Sequence, residues 1–122
     1  MPKKLIKFIP ALLWMIFIFY LSSSPTDIVP GTDTQRFIFF KSLHLTEYAI
    51  LFILVEYAIG KFSHSLIISA LYSITDEIHQ LFVPGRHGKF TDIIIDLTGI
   101  FLGLIFLKIF FTHPGLKKLF RR

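Results

Sequence analysis

Four stretches of this 122-residue chain are each long and apolar enough to cross a membrane, and little chain is left between them. They run over about residues 5–21, 42–59, 65–83 and 92–111. A helix of roughly 20 apolar residues spans the hydrocarbon core of a bilayer, which is about 30 Å thick. The chain is 53% hydrophobic with 15 phenylalanines, and its mean hydropathy is +0.66. That excess is gathered into the four runs, so a soluble core is not the reading it supports. Lipid offers no partner for backbone N–H and C=O groups, which leaves helices or closed barrels as spanning structures. The runs are continuous and do not alternate, which excludes a barrel. The expected fold is all-α: a polytopic membrane protein of four transmembrane helices in a compact bundle, one domain over residues 1–122.

Lys3, Lys4 and Lys7 precede the first run, as in a secretory signal. But the run is followed by "SSSP", and no small-residue cleavage site follows it. It reads as a retained first span. The chain has no cysteine, which excludes disulfides, thiolate metal sites and cysteine nucleophiles.

The charges sort by side. With four spans both termini lie together, joined by the loop after the second span. Lys3, Lys4, Lys7, Lys61, Lys108, Lys117, Lys118, Arg121 and Arg122 share that side, nine of the 13 basic residues. Arg36, Lys41, Arg86 and Lys89 fall on the other. The positive-inside rule then puts both termini in the cytoplasm. The basic "GLKKLFRR" tail is a topology anchor for anionic lipid, and no nucleic-acid partner is expected.

Three helix ends therefore bring ionisable residues to one depth at the outer face. Residues three, four and seven apart share a helix face. On the second span that face carries Lys41, His44 and Tyr48, with Glu47 beside His44. On the third it carries Ser65, Ser69, Ser73, Asp76 and Gln80. On the fourth it carries Asp92, Asp96, Gly99 and Gly103, the two aspartates one turn or about 6 Å apart. A charge inside a span is costly unless paired or wetted, so the three polar faces are expected to meet in a pocket open at the outer surface. Gly99 and Gly103 form a G-x-x-x-G packing element. The first span is expected only to pack, with Trp14 and Tyr20 setting its depth. Pro84, Gly85 and Gly88 make the turn before the fourth span, which places Arg86 within reach of the carboxylates. Thr91 is the expected cap of that span, with Asp92 at the positive end of its dipole. Glu56 is expected near the cytoplasmic end, paired with Lys61 or water.

These residues resemble a known family. "FYLSSSP" at 19–25, K-x-x-H-x-x-E-Y at 41–48, D-E-x-x-Q-x-F-V-P-G-R at 76–86 and D-x-x-x-D-x-x-G-x-x-x-G at 92–103 are similar to the VanZ-like proteins. The resemblance covers residues 19–103. It implies a small bacterial membrane protein. The founding member is associated with resistance to the lipoglycopeptide teicoplanin, and the resemblance supplies no reaction. Asp96 departs from the pattern, which more often has asparagine there, and it makes this pocket more acidic.

The expected binding set is Lys41, His44, Glu47, Tyr48, Asp76, Glu77, Gln80, Arg86, Asp92 and Asp96. Arg86 can take a phosphate or carboxylate through two parallel hydrogen bonds. Its partners would be membrane lipids, with a lipoglycopeptide or lipid-linked ligand in the pocket. The catalytic residues are unknown. His44, Asp76 and Asp92 are the candidates for acid–base work, but no nucleophile motif points to a reaction, so binding and enzymatic readings stay open. No cofactor is expected. His44, His79, Asp76, Asp92 and Asp96 lack the H-E-x-x-H or similar spacing of a zinc site, so no metal is expected either. His79 is read as facing outward to headgroups. The serines at 65, 69 and 73 are read as easing helix packing.

Overall fold

A computed structural model describes residues 2–24, 29–84 and 90–120, the side chains of Leu116 and Leu119 excepted. The described residues form six α-helices, a short 3-10 turn and no strand. They are α1 (Lys3–Ile6), α2 (Ile9–Ser22), α3 (Asp33–Ile59), α4 (Phe62–Leu81), α5 (Phe90–Phe110) and α6 (Pro114–Lys117), with the 3-10 turn at Lys118–Phe120.

Lys3–Ser22, Asp33–Ile59 and Phe90–Phe110 are long and apolar enough to cross a membrane by length and composition. α4 has the length, at 20 residues, but six of its residues are both polar and buried. Its outer surface is Ile67, Ile68, Leu71, Ile74, Ile78 and Leu81, all exposed. α4 therefore presents apolar side chains outward and polar ones inward, the reverse of a soluble helix. The whole bundle follows that rule, with Ile94, Phe101, Leu102, Phe106 and Ile109 outward on α5. An exposed apolar surface of this extent suits lipid. The chain is a four-helix membrane bundle in which α1 and α2 together make the first crossing.

Local sequence sets the breaks. α1 and α2 part at Lys7 and Phe8 because Pro10 stands in the first turn of α2. Proline lacks an N–H, and its ring clashes with the carbonyl four residues back. α3 starts nine residues before the expected span. Thr32 accepts from the backbone of Gln35 at 3.1 Å and Gln35 returns a side-chain contact of 2.9 Å to the Thr32 N–H, which is a capping box. Its 27 residues extend about 40 Å, so the first turns stand beyond the hydrocarbon. Thr32→Ala should lower the stability of the purified protein by about 1 kcal/mol. Thermal unfolding in detergent would show it as a small downward shift with the fold unchanged.

α3 ends at Gly60, whose φ of 78° is left-handed and whose N–H donates to Glu56 O at 2.8 Å. Glycine adopts that conformation without steric cost. Only Gly60 and Lys61 then separate α3 from α4, so the two are antiparallel neighbours. α4 starts at Phe62 and stops at Leu81, three residues ahead of Pro84, where the expected span was 65–83. Thr91 is not the cap of the last span, because α5 already begins at Phe90. Asp92 does lie in its first turn. Gly85, Arg86, His87, Gly88 and Lys89 lie outside the described residues.

α3 lies at the centre and touches α2, α4 and α5, and its contact with α5 is the most intimate. A Cβ on Gly99 would lie 2.3 Å from the Leu45 carbonyl oxygen, and one on Gly103 would lie 2.7 Å from that of Ala49. The G-x-x-x-G element thus lets α5 rest directly on the backbone of α3. α2 is fastened by Trp14, whose Nε1 donates to Glu47 O at 2.9 Å, and by Tyr72, which donates to Met15 O. Trp14 is a clamp inside the bundle and not a depth marker. Tyr20 is exposed and is free to play that part.

The two ends differ. At one end Lys7 stacks over Tyr57, Phe62 stacks on Phe52 and Phe111, and Phe120 meets Tyr57, Phe110 and Phe111 edge-on. The N-terminal residues, the α3–α4 turn and the C-terminal tail therefore gather at one end, together with most of the lysines. The ionisable cluster is at the other.

Candidate functional site

The polar faces of α3, α4 and α5 meet. His44, Glu47, Asp76, Glu77, Gln80, Asp92 and Asp96 are all at most 5% exposed, and Tyr48 is fully buried. Each arrives by helical spacing alone. On α3 His44, Glu47, Tyr48 and Leu51 share a face, on α4 Ser73, Asp76, Glu77 and Gln80 do, and on α5 Asp92, Asp96 and Gly99 do. The close seating of α5 on α3 at Gly99 sits one turn below Asp96, so a packing glycine sets the distance between His44 and Asp96.

Hydroxyl groups hold the carboxylates. Tyr48 Oη donates to Asp76 Oδ2 at 3.0 Å, and Ser73 Oγ donates to Asp96 Oδ2 at 3.0 Å. His44 Nδ1 lies 3.2 Å from Asp96 Oδ1 and 4.0 Å from Glu47 Oε2. Lys41 forms an ion pair with Asp92. Gln80 Nε2 donates to Ser22 Oγ at 3.3 Å, which ties the site to the end of α2. One ligand-capable atom from each of His44, Asp76, Glu77 and Asp96 lies within 4.8 Å of the others. Asp76 Oδ1 is buried with no hydrogen-bond partner among the described residues.

Beside this cluster a cleft of about 310 Å3 runs between the end of α2 and the N-terminal half of α3. Tyr20, Leu21, Val29, Phe39, Phe40 and Leu43 wall it, and Ser22, Ser24, His44 and Glu47 supply its polar groups. An apolar cleft with a few placed polar groups is the usual form of a ligand site. His44 belongs to both cleft and cluster.

Nine of the ten residues expected to bind are thus within the described structure and at one end of the bundle. Arg86, the tenth, lies outside the described residues. The geometry separates them by task. Asp92 is committed to Lys41, whereas Asp96 and not Asp92 is the carboxylate beside His44.

Four residues around the site sit otherwise than expected. His79 does not face outward: it stacks on Phe19 with centroids 4.1 Å apart and lies 3.4 Å from Ser23 Oγ, because α2 crosses α4 there. Two of the three stripe serines do more than ease packing, since Ser65 Oγ donates to Glu56 Oε2 at 2.7 Å and Ser73 holds Asp96. Glu56 is buried and takes that bond from α4, while Lys61 is exposed. The sequence carried a signal for this: Glu56 and Ser65 flank the tight turn at nearly equal distances, which puts them opposite each other on antiparallel helices. The cleft had no such signal, because α2 carries no ionisable residue along it.

A family model described as VanZ/LLP1 matches residues 7–111. No curated protein and no solved structure matches the chain. The matched stretch takes in α2 to α5 and every described residue of the polar cluster, and the chain belongs to the VanZ/LLP1 family.

Proposed function

We propose that this VanZ-family membrane protein works at the outer face of a bacterial plasma membrane, with both termini in the cytoplasm, by binding an amphiphile at the polar end of the bundle. The ligand class is a lipid headgroup or a lipoglycopeptide. The observation that carries this is the cleft: apolar walls from α2 and α3 that lead to His44 and Glu47 and, behind them, to the buried carboxylates. A tail would lie against Leu21, Phe39, Phe40 and Leu43, and a polar head would meet His44 and Glu47. Arg86 is the residue proposed to take an anionic group of the ligand. The concentration of lysines at the opposite end supports the orientation.

Teicoplanin susceptibility tests this reading. Wild type, Asp76→Asn and Arg86→Gln would be expressed in a susceptible Gram-positive host at matched membrane abundance. The expected result is protection by the wild type only. Losing one charged hydrogen-bonding contact costs about 1.5–3 kcal/mol, a factor of about ten or more in affinity. Equal protection by all three would reduce the cluster to a structural role. No protection by any would mean that this chain does not handle the lipoglycopeptide.

A second reading rests on the 3.2 Å approach of His44 Nδ1 to Asp96 Oδ1. An imidazole oriented by a carboxylate is the usual form of a general base. In that reading the protein is an enzyme on a lipid-linked substrate. It requires turnover by purified protein that is lost in His44→Ala, and an unchanged lipid extract from expressing cells would count against it.

A further inference from the structure

We propose that His44, Asp76, Glu77 and Asp96 form a binding site for one divalent transition-metal ion, of the manganese, iron or zinc class. Four side chains from three helices converge, and their ligand-capable atoms lie within 4.8 Å of one another. Ligands on opposite sides of such an ion stand about 4.2 Å apart, at bond lengths of roughly 2.1 Å. Neighbouring ligands of a tetrahedral ion stand about 3.4 Å apart, so closing the cluster around an ion takes shifts of under about 1 Å per atom.

The second observation is Asp76 Oδ1. Asp76 is 4% exposed, and this oxygen has no hydrogen-bond partner among the described residues. A buried carboxylate oxygen left without a donor is costly. Its sister oxygen is taken by Tyr48 at 3.0 Å, so the carboxylate cannot turn to satisfy both. Lys41 offers no relief, because it pairs with Asp92. A cation among the four groups would satisfy Asp76 Oδ1 and offset the crowding of three carboxylates. The hydroxyls on Asp76 and Asp96 would then serve as the outer contacts that orient metal-bound carboxylates.

The ligand set argues for the metal class. An imidazole nitrogen with carboxylate oxygens suits manganese, iron or zinc. Calcium takes six to eight oxygens and magnesium keeps several waters, for which four buried side chains leave little room. The ligands are far apart in sequence, which is why no spacing motif announces them. His44 also lines the cleft, which gives the ion a route inward. The site stands whether or not an amphiphile occupies that cleft.

The test uses the full chain in detergent, carrying an affinity tag without histidine and stripped with a chelator. It is titrated with Mn2+, with Fe2+ under anaerobic conditions, and with Zn2+, each against Mg2+ and Ca2+, and bound metal is measured by mass spectrometry. The expected result is saturation at about one ion per chain. His44→Gln, Asp76→Asn and Asp96→Asn should each weaken binding by more than about 100-fold, beyond what losing an outer contact does. His64→Gln, on an exposed residue at the other end, should bind as the wild type does. Should the cluster variants fail to fold, Co2+ bound to the wild type decides: ligand-field bands of a low-symmetry nitrogen–oxygen site support the proposal, and the spectrum of the aquated ion overturns it. No saturable binding by the wild type, a preference for Mg2+ or Ca2+, or folded variants that bind equally well also overturn it. A protein that binds the ion yet gives no protection against teicoplanin would uphold the metal site and reject the lipoglycopeptide as the ligand of the cleft.

Discussion

Gly99→Leu is expected to remove the protein from the membrane. A Cβ alone would sit 2.3 Å from the Leu45 carbonyl oxygen and 3.0 Å from its carbon. Those atoms are helix backbone and cannot turn aside as a side chain could, so α5 would have to lift off α3. Overpacking a core commonly costs about 1–3 kcal/mol, and the rigid contact here places Gly99→Ala at or above the top of that range. Leucine adds three more carbons in the same place. Gly103→Ala meets Ala49 O at 2.7 Å and should be the milder change. Membrane abundance by blotting, with melting temperature in detergent where protein accumulates, should rank Gly99→Leu worst, then Gly99→Ala, then Gly103→Ala. A normal melt for Gly99→Leu would refute the seating of α5 on α3, and with it the placement of Asp96 beside His44.

Lys41→Met should be nearly as damaging, for a different reason. Lys41 pairs with Asp92, whose side chain is 6% exposed. Removing one partner of a buried pair leaves an uncompensated charge and costs about 3–5 kcal/mol. Replacing both partners with apolar groups of similar size is often close to neutral. Lys41→Met with Asp92→Leu should therefore recover much of what Lys41→Met loses. A double-mutant cycle on thermal unfolding in detergent measures this coupling. If the two changes prove additive, Asp92 does not depend on Lys41, and Asp92 returns as a candidate for chemistry.

Much of the bundle was legible because lipid imposes one rule on every span. A 20-residue apolar run has few other places to go, and the residues that break the run mark its inner face. The stripe Ser65, Ser69, Ser73, Asp76 and Gln80 is wholly buried, as its spacing implied. Helical period finds a face, however, and not the partner on the facing helix. That Asp96 and not Asp92 meets His44, or that Tyr48 and Ser73 hold one oxygen each of two aspartates, depends on the vertical register of three helices. The Gly99 contact fixes that register, and no local pattern gives it. The early start of α3 was readable in Thr32 and Gln35, since the capping box is a local device. The kink at Lys7 was readable in Pro10. The long apolar run hid both, because it drew attention to where lipid begins and not to where the helix does.

The aromatic stack at the lysine-rich end has a consequence for traffic. Phe52, Phe62, Phe111 and Phe120 close that end with ring against ring, and Leu51, Val55 and Ile100 lie buried above them. Among the described residues, packed rings and aliphatic side chains thus lie between the polar cluster and the lysine-rich end. An amphiphile bound as proposed would therefore enter and leave by the ionisable end, away from the packed rings.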